Sequence, residues 1–139
     1  MIKEKISILS DLGFLTEVRA FISEMINKGS TPKGFENKII LAVDEAVSNV
    51  IEHGYDKSHN GDIEIEVESN EEKFAVYIRD SGAAFDPNSM NDIDIAKHIK
   101  EGKRKGLGIF LMRRIMDEVR YTSKDNKNEL MLVKYIKRL

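Results

Sequence analysis

The chain has 139 residues, 41% hydrophobic and 33% charged, which suits one domain with a real core. A formal net charge of -2 excludes a global basic field that would hold it on nucleic acid. It has no cysteine, which excludes disulfides, thiolate metal sites and cysteine nucleophiles.

The opening MIKEKISILSDLGFL breaks its apolar residues with Lys3, Glu4, Lys5 and Asp11, so it lacks the apolar run of a signal peptide. No segment is long and apolar enough to span a bilayer. A cytoplasmic protein without membrane contact is the expectation. Ile6 and Ile8 alternate with Lys5 and Ser7 and predict a first strand. Leu12, Leu15, Val18, Phe21, Ile22 and Met25 recur at helical spacing until Gly29. After the Ser30-Thr31-Pro32 break a second helix is predicted over roughly Lys33 to Glu52, with Ile39, Val43, Val47 and Val50 as its apolar stripe and Gly54 as its stop. DKSHNG reads as a turn. Ile63, Ile65 and Val67 alternate with Glu64, Glu66 and Glu68, a strand with one wet face. SNEEK turns the chain into a paired strand carrying Phe74, Val76 and Ile78. Asp80 to Arg104 is long, polar and contains glycine; GLGIFLMRRIM then opens a helix at a glycine. Val119 and Tyr121 predict a short strand, DNKN a turn, and Leu130 to Ile136 a last strand. No repeat or linker divides the chain, so residues 1–139 read as one domain. The predicted class is α+β, a two-layer sandwich with helices on one face of a mixed, mostly antiparallel sheet.

Four segments carry candidate chemistry. Glu45, Asn49 and His53 stand four residues apart and form one column on the second helix, roughly opposite Val43, Val47 and Val50. On this segment alone, a solvated face explains the column better than a site does. His53 suits a helix C-terminus, where an imidazole complements the dipole. DSGAAFDP, Asp80 to Pro87, sets a carboxylate and a glycine at a strand end, which alone is a plain turn. In GKRKGLGIFLMRRI, Gly106 and Gly108 stand at a helix start beside Lys103, Arg104 and Lys105. Glycines and a helix N-terminus suit a phosphate, yet the pattern is neither a P-loop nor a dinucleotide fingerprint. DKSHNGDIEIEV imitates a calcium loop through Asp56, Ser58, Asn60 and Gly61, but its closing position holds Val67 instead of a glutamate, so it is rejected.

Taken in order, E-x-x-x-N on a helix, D-x-G after a strand and G-L-G at a helix start resemble the N, G1 and G2 boxes of the GHKL, or histidine-kinase-like, ATP-binding superfamily. DEAVSNVIEHGY, DSGAAFDP and KGLGIFLMRRIMDEVRY are most similar to the corresponding motifs of the anti-sigma factor serine/threonine kinases, and the likeness covers nearly the whole chain. The resemblance implies a GHKL fold and two cofactors, ATP and Mg²⁺. It assigns Asn49 as the Mg²⁺ ligand and Glu45 as the general base toward a serine hydroxyl. It sets Asp80 against the adenine amino group, with Gly82 leaving room for the ring. Gly106 and Gly108, with Leu107 between them, would offer backbone amides to the phosphates. Residues Ala83 to Lys105 would form a lid in which Arg104 and Lys105 contact phosphate. The implied partners are an anti-sigma antagonist as substrate, a sigma factor, and a second copy in a homodimer, with the edge strand Lys5 to Leu9 available for pairing. There are departures. Asn128-Glu129 replaces the family's small residue–threonine pair near adenine; if Glu129 occupies the threonine position, the adenine contact there is altered or supplied by a water. Ala84 replaces a frequent proline.

Three functions follow. The first is an ATP-dependent serine/threonine protein kinase and anti-sigma factor in a partner switch. The second is a non-enzymatic ATP-binding module that sequesters its partner; Glu45 argues against it and Asn128-Glu129 allows it. The third is the catalytic domain of a histidine kinase, which needs a phospho-accepting histidine on an N-terminal helix pair. The only histidines here are His53, His59 and His98.

Overall fold

A computed structural model describes residues 1–29, 34–55, 61–84, 86 and 104–136; at 104–107 only the helical backbone path is described. In chain order the elements are β1 (Ile2–Leu9), a 3₁₀ turn (Leu12–Phe14), α1 (Leu15–Lys28), α2 (Glu36–Asn49) running into a π turn (Val50–Gly54), β2 (Asp62–Ser69), β3 (Lys73–Asp80), α3 (Arg104–Ile115), β4 (Glu118–Lys124) and β5 (Lys127–Tyr135). The sheet order is β1-β2-β3-β5-β4. All four pairings are antiparallel, so the sheet is more uniform than the mixed one expected.

Local chemistry explains the punctuation. Asp11 accepts the N–H of Gly13 at 2.8 Å and turns β1 toward α1. Gly29 ends α1, its N–H reaching the carbonyls of Met25 and Ile26. Between β2 and β3, Asn70 Oδ1 accepts from the N–H groups of Glu72 and Lys73, at 2.7 and 3.0 Å. This side-chain mimic of a backbone turn is the reason asparagine suits the position. Between β4 and β5, Asp125 and Asn126 both have positive φ, 53° and 62°, the left-handed pair that a two-residue hairpin requires.

The period-2 alternation of β2 and β3 puts Ile63, Ile65, Val67, Phe74, Val76 and Ile78 on one face, all fully buried. Leu130 and Leu132 extend that face. The helices cover it with Val18, Ile22 and Met25 from α1, Ile39, Val43 and Val47 from α2, and Met112 from α3. Burying each such side chain contributes about 1.5–3 kcal/mol. The predicted sandwich of helices on one face of a sheet therefore stands. No helix among the described residues is long and apolar enough to cross a membrane.

Three boundaries differ from expectation. Regular α2 stops at Asn49, and the chain continues to Gly54 as a π turn rather than as α-helix to Glu52. β5 begins at Lys127, three residues before the predicted start. α3 begins at Arg104, so Gly106 and Gly108 lie inside it rather than before it. The predicted turn at DKSHNG and most of the lid lie outside the described residues.

Candidate active site

The site forms where α2 ends. Ala42 and Ala46 are small and buried, which brings α2 close to its neighbours, and Asn49 is itself 8% exposed. The column of Glu45 and Asn49 is therefore not a solvated face. Asn49 turns into a narrow cleft lined by Ala46, Val50, Gly54, Asp80, Ala83, Tyr121 and Leu130. Sequence periodicity misplaced it because it counted only large apolar residues in the stripe and left out the alanines.

Asn49 Nδ2 is buried with no hydrogen-bond partner. Leaving such a group unpaired costs about 1–3 kcal/mol, so native folds keep few of them, often for function. Its amide can rotate half a turn and present oxygen in place of nitrogen. Glu45 lies one turn earlier, half-buried. Burial first, then the charges of Asp44 and Glu52, raise its pKa above the ordinary carboxylate value. Against it stands Gly108 of α3: a Cβ there would overlap Glu45 Oε2 and come within 2.7 Å of its Cδ. With glycine at 108, α3 rests on this carboxylate as it stands; a larger residue would push the Glu45 side chain aside.

That contact gives Gly108 a packing role. It is the fifth residue of α3, past the four N–H groups that a helix start leaves unbonded. Its amide is committed within the helix, and its missing side chain makes room for Glu45. Arg104, Lys105, Gly106 and Leu107 occupy the first turn of α3. The side chains of Arg104 and Lys105 lie outside the described residues.

Asp80 ends β3 and is 8% exposed in the same cleft as Asn49. Its Oδ1 accepts the N–H of Gly82 at 2.9 Å and Nδ2–H of Asn128 at 2.9 Å. Gly82 was expected to make room for a ring. The structure gives its missing Cβ another use, since a side-chain carbon there would lie 2.7 Å from the carbonyl carbon of Gly54. The two glycines pack backbone to backbone, and Ala83 N–H donates to Gly54 O at 2.7 Å. Tyr55 fastens this junction: its Oη donates to Asp62 O at 2.8 Å and accepts from Ser81 N–H at 2.9 Å. His53 lies in the π turn beside the junction.

Strand register decides which residue of the Asn128-Glu129 pair faces Asp80, and it is not Glu129. Asn128 pairs with Asp80, and Glu129 pairs with Arg79. Alternation puts Asn128 on the Leu130 face, buried at 3% exposure. Glu129 takes the opposite face and accepts from Arg79 Nε at 2.8 Å. The signal was present: Asn128, Leu130 and Leu132 share one period-2 face. A strand begun at Leu130 cuts it off.

The donor set fits a small hard cation held jointly with a ligand. Among the described residues, no three histidine, aspartate or glutamate side chains gather as a metal cage. Mg²⁺ prefers one or two protein oxygens together with phosphates and waters, and the buried, unpaired amide of Asn49 can supply one.

Residues 8–134 match the family described as Histidine kinase-like ATPase domain. Over 130 residues the chain is 32% identical to a protein named serine-protein kinase RsbW from Halalkalibacterium halodurans, covering 90% of this chain and 78% of that one. An RsbW of Staphylococcus aureus is 32% identical over 131 residues, 90% of this chain and 81% of that one. The serine/threonine-protein kinase BtrW of Bordetella bronchiseptica is 28% identical over 97 residues, 70% of this chain and 68% of that one. A crystal structure of the RsbU and RsbW domains of a Mycobacterium tuberculosis protein superposes with a TM-score of 0.67 at 16% identity. It matches over 96% of this chain and 32% of that one, a likeness of fold alone. The chain belongs to the histidine kinase-like ATPase family, an ATP-using family, within its branch of anti-sigma factor serine/threonine kinases.

Proposed function

We propose that the cleft between α2 and the β3–β5 pair binds Mg-ATP, and that Glu45 and Asn49 serve transfer of its terminal phosphoryl group to a serine or threonine of an anti-sigma antagonist. The observation that carries this reading is the meeting of Asn49 and Asp80 in one cleft, with an unpaired buried amide, one helical turn from a carboxylate of raised pKa. Asn49 holds the metal through its amide oxygen, and Asp80 accepts the exocyclic amino group of adenine. Bound Mg²⁺ neutralises charge on the phosphate oxygens as it develops. Glu45 takes the proton of the attacking hydroxyl, and its raised pKa makes it the stronger acceptor. The first turn of α3 receives phosphate.

The same reading has the kinase hold a sigma factor until the antagonist competes for it, in the cytoplasm and without contact to nucleic acid. It pairs two copies through the exposed edge of β1; a monomer in sedimentation at micromolar concentration would contradict that pairing. Calorimetry tests the metal site. Asn49→Ala should abolish Mg²⁺-dependent ATP binding and leave the circular dichroism spectrum unchanged. Unaltered Mg-ATP affinity discards Asn49 as the ligand. Asp80→Asn tests the base: the parent should prefer ATP over GTP by at least about tenfold, the scale of one mismatched buried polar group. The variant should lose that preference.

A further inference from the structure

Asn128 sits inside a closed set of hydrogen bonds. Its Nδ2 donates to Asp80 Oδ1 and to Gly82 O, both at 2.9 Å. Its Oδ1 accepts from Ser123 Oγ at 2.7 Å. The three bonds fix which way the amide points. Rotated by half a turn, it would set its oxygen against a carboxylate and a carbonyl, and its N–H groups would lose both acceptors. Asn128 therefore meets Asp80 with a donor and never with an acceptor. Gly82 N–H is a second donor on the same oxygen. With Oδ1 doubly engaged, Oδ2 is the oxygen available to a ligand in the cleft, and the carboxylate plane is held by bonds from two segments.

We propose that Asn128 is a positioning residue that makes Asp80 a fixed acceptor, tuned to a purine carrying an exocyclic amino group at the position it reads. This deepens the adenine reading of Asp80 and rests on it. A hydroxyl at residue 128 has one hydrogen and could serve Asp80 or Gly82 O, but not both. The amide serves both at once, so it ties the β3 end, the Gly82 loop and β5 into one unit. Ser123 on β4 holds that amide from behind.

The test measures affinity and involves no phosphotransfer. ADP and the diphosphate of purine riboside, which has hydrogen in place of the amino group, are titrated calorimetrically with magnesium into the parent, Asn128→Leu and Asn128→Thr. The parent should prefer ADP by at least about tenfold. Asn128→Leu, similar in volume and without donors, should reduce the preference to within about threefold while keeping its affinity for the purine riboside nucleotide. Asn128→Thr, with one donor, should fall between the two and decides the matter should the leucine variant not fold. An undiminished preference in either variant overturns the role of Asn128 and leaves that of Asp80 standing. A parent with no preference overturns the reading of Asp80, and this inference with it.

Discussion

Glu45 is kept where its charge costs the fold stability. Burial is the larger cause, and Asp44 and Glu52 add repulsion. The sign follows from proton linkage: a carboxyl whose folded pKa is raised binds more protons folded than unfolded between the two values, so stability falls as pH rises through that window. Below the ordinary carboxylate range both states are protonated and the penalty vanishes. Glu45→Gln should accordingly melt higher than the parent at pH 7, with the gap closing as pH falls below that range. Melting curves across pH check it; a variant less stable than the parent at pH 7 would mean Glu45 makes a bond the fold needs. Glu45, Asn49 and Asp80 were singled out in the sequence through motif order, because such motifs repeat at fixed spacing. Asn128 was noted only as half of a departing pair, and Tyr55 not at all, because their roles are hydrogen bonds between segments 48 and 26 residues apart in the chain.

At the scale of elements, the site depends on how the end of α2 meets the end of β3. The π turn Val50–Gly54 brings Gly54 against Gly82, and Tyr55 bridges Asp62 and Ser81. Tyr55→Phe removes both hydrogen bonds and leaves the ring packing in place. It should cost about 1 kcal/mol, or roughly 2–4 °C in melting temperature for a domain of this size. It should also weaken adenine nucleotide binding, because Ser81 adjoins Asp80. Melting that is unchanged alongside unchanged affinity would remove Tyr55 from the account. Strand positions were legible from alternation, as in β2 and β3. Helix ends were less so. No residue pattern marks the change from α to π winding at Val50, and α3 runs through both Gly106 and Gly108, the second of which packs against Glu45 instead of making a turn.

Over the whole molecule, one sheet face carries the core and the other stays charged. Arg79 bonds Glu64, Glu66 and Glu129 across β2, β3 and β5, and Lys3–Glu68 and Lys5–Glu64 pair β1 with β2. The exposed lysine pairs are worth little stability, while the Arg79 network is part-buried; together they explain the abundance of charge on strands that alternate with isoleucine and valine. The fold was therefore legible from patterning, whereas the cleft required tertiary packing that patterning does not encode. The central claim is that this cleft performs phosphoryl transfer and that Glu45 is its base. A general base contributes about 10²–10⁴-fold. The direct measurement compares the parent and Glu45→Gln for Mg-ATP affinity and for transfer of labelled phosphate to the antagonist from the same cell. Affinity should match within about threefold, and transfer should fall at least about a hundredfold. Equal transfer rates would contradict Glu45 as the base, and absence of transfer by the parent on that antagonist would contradict the kinase itself.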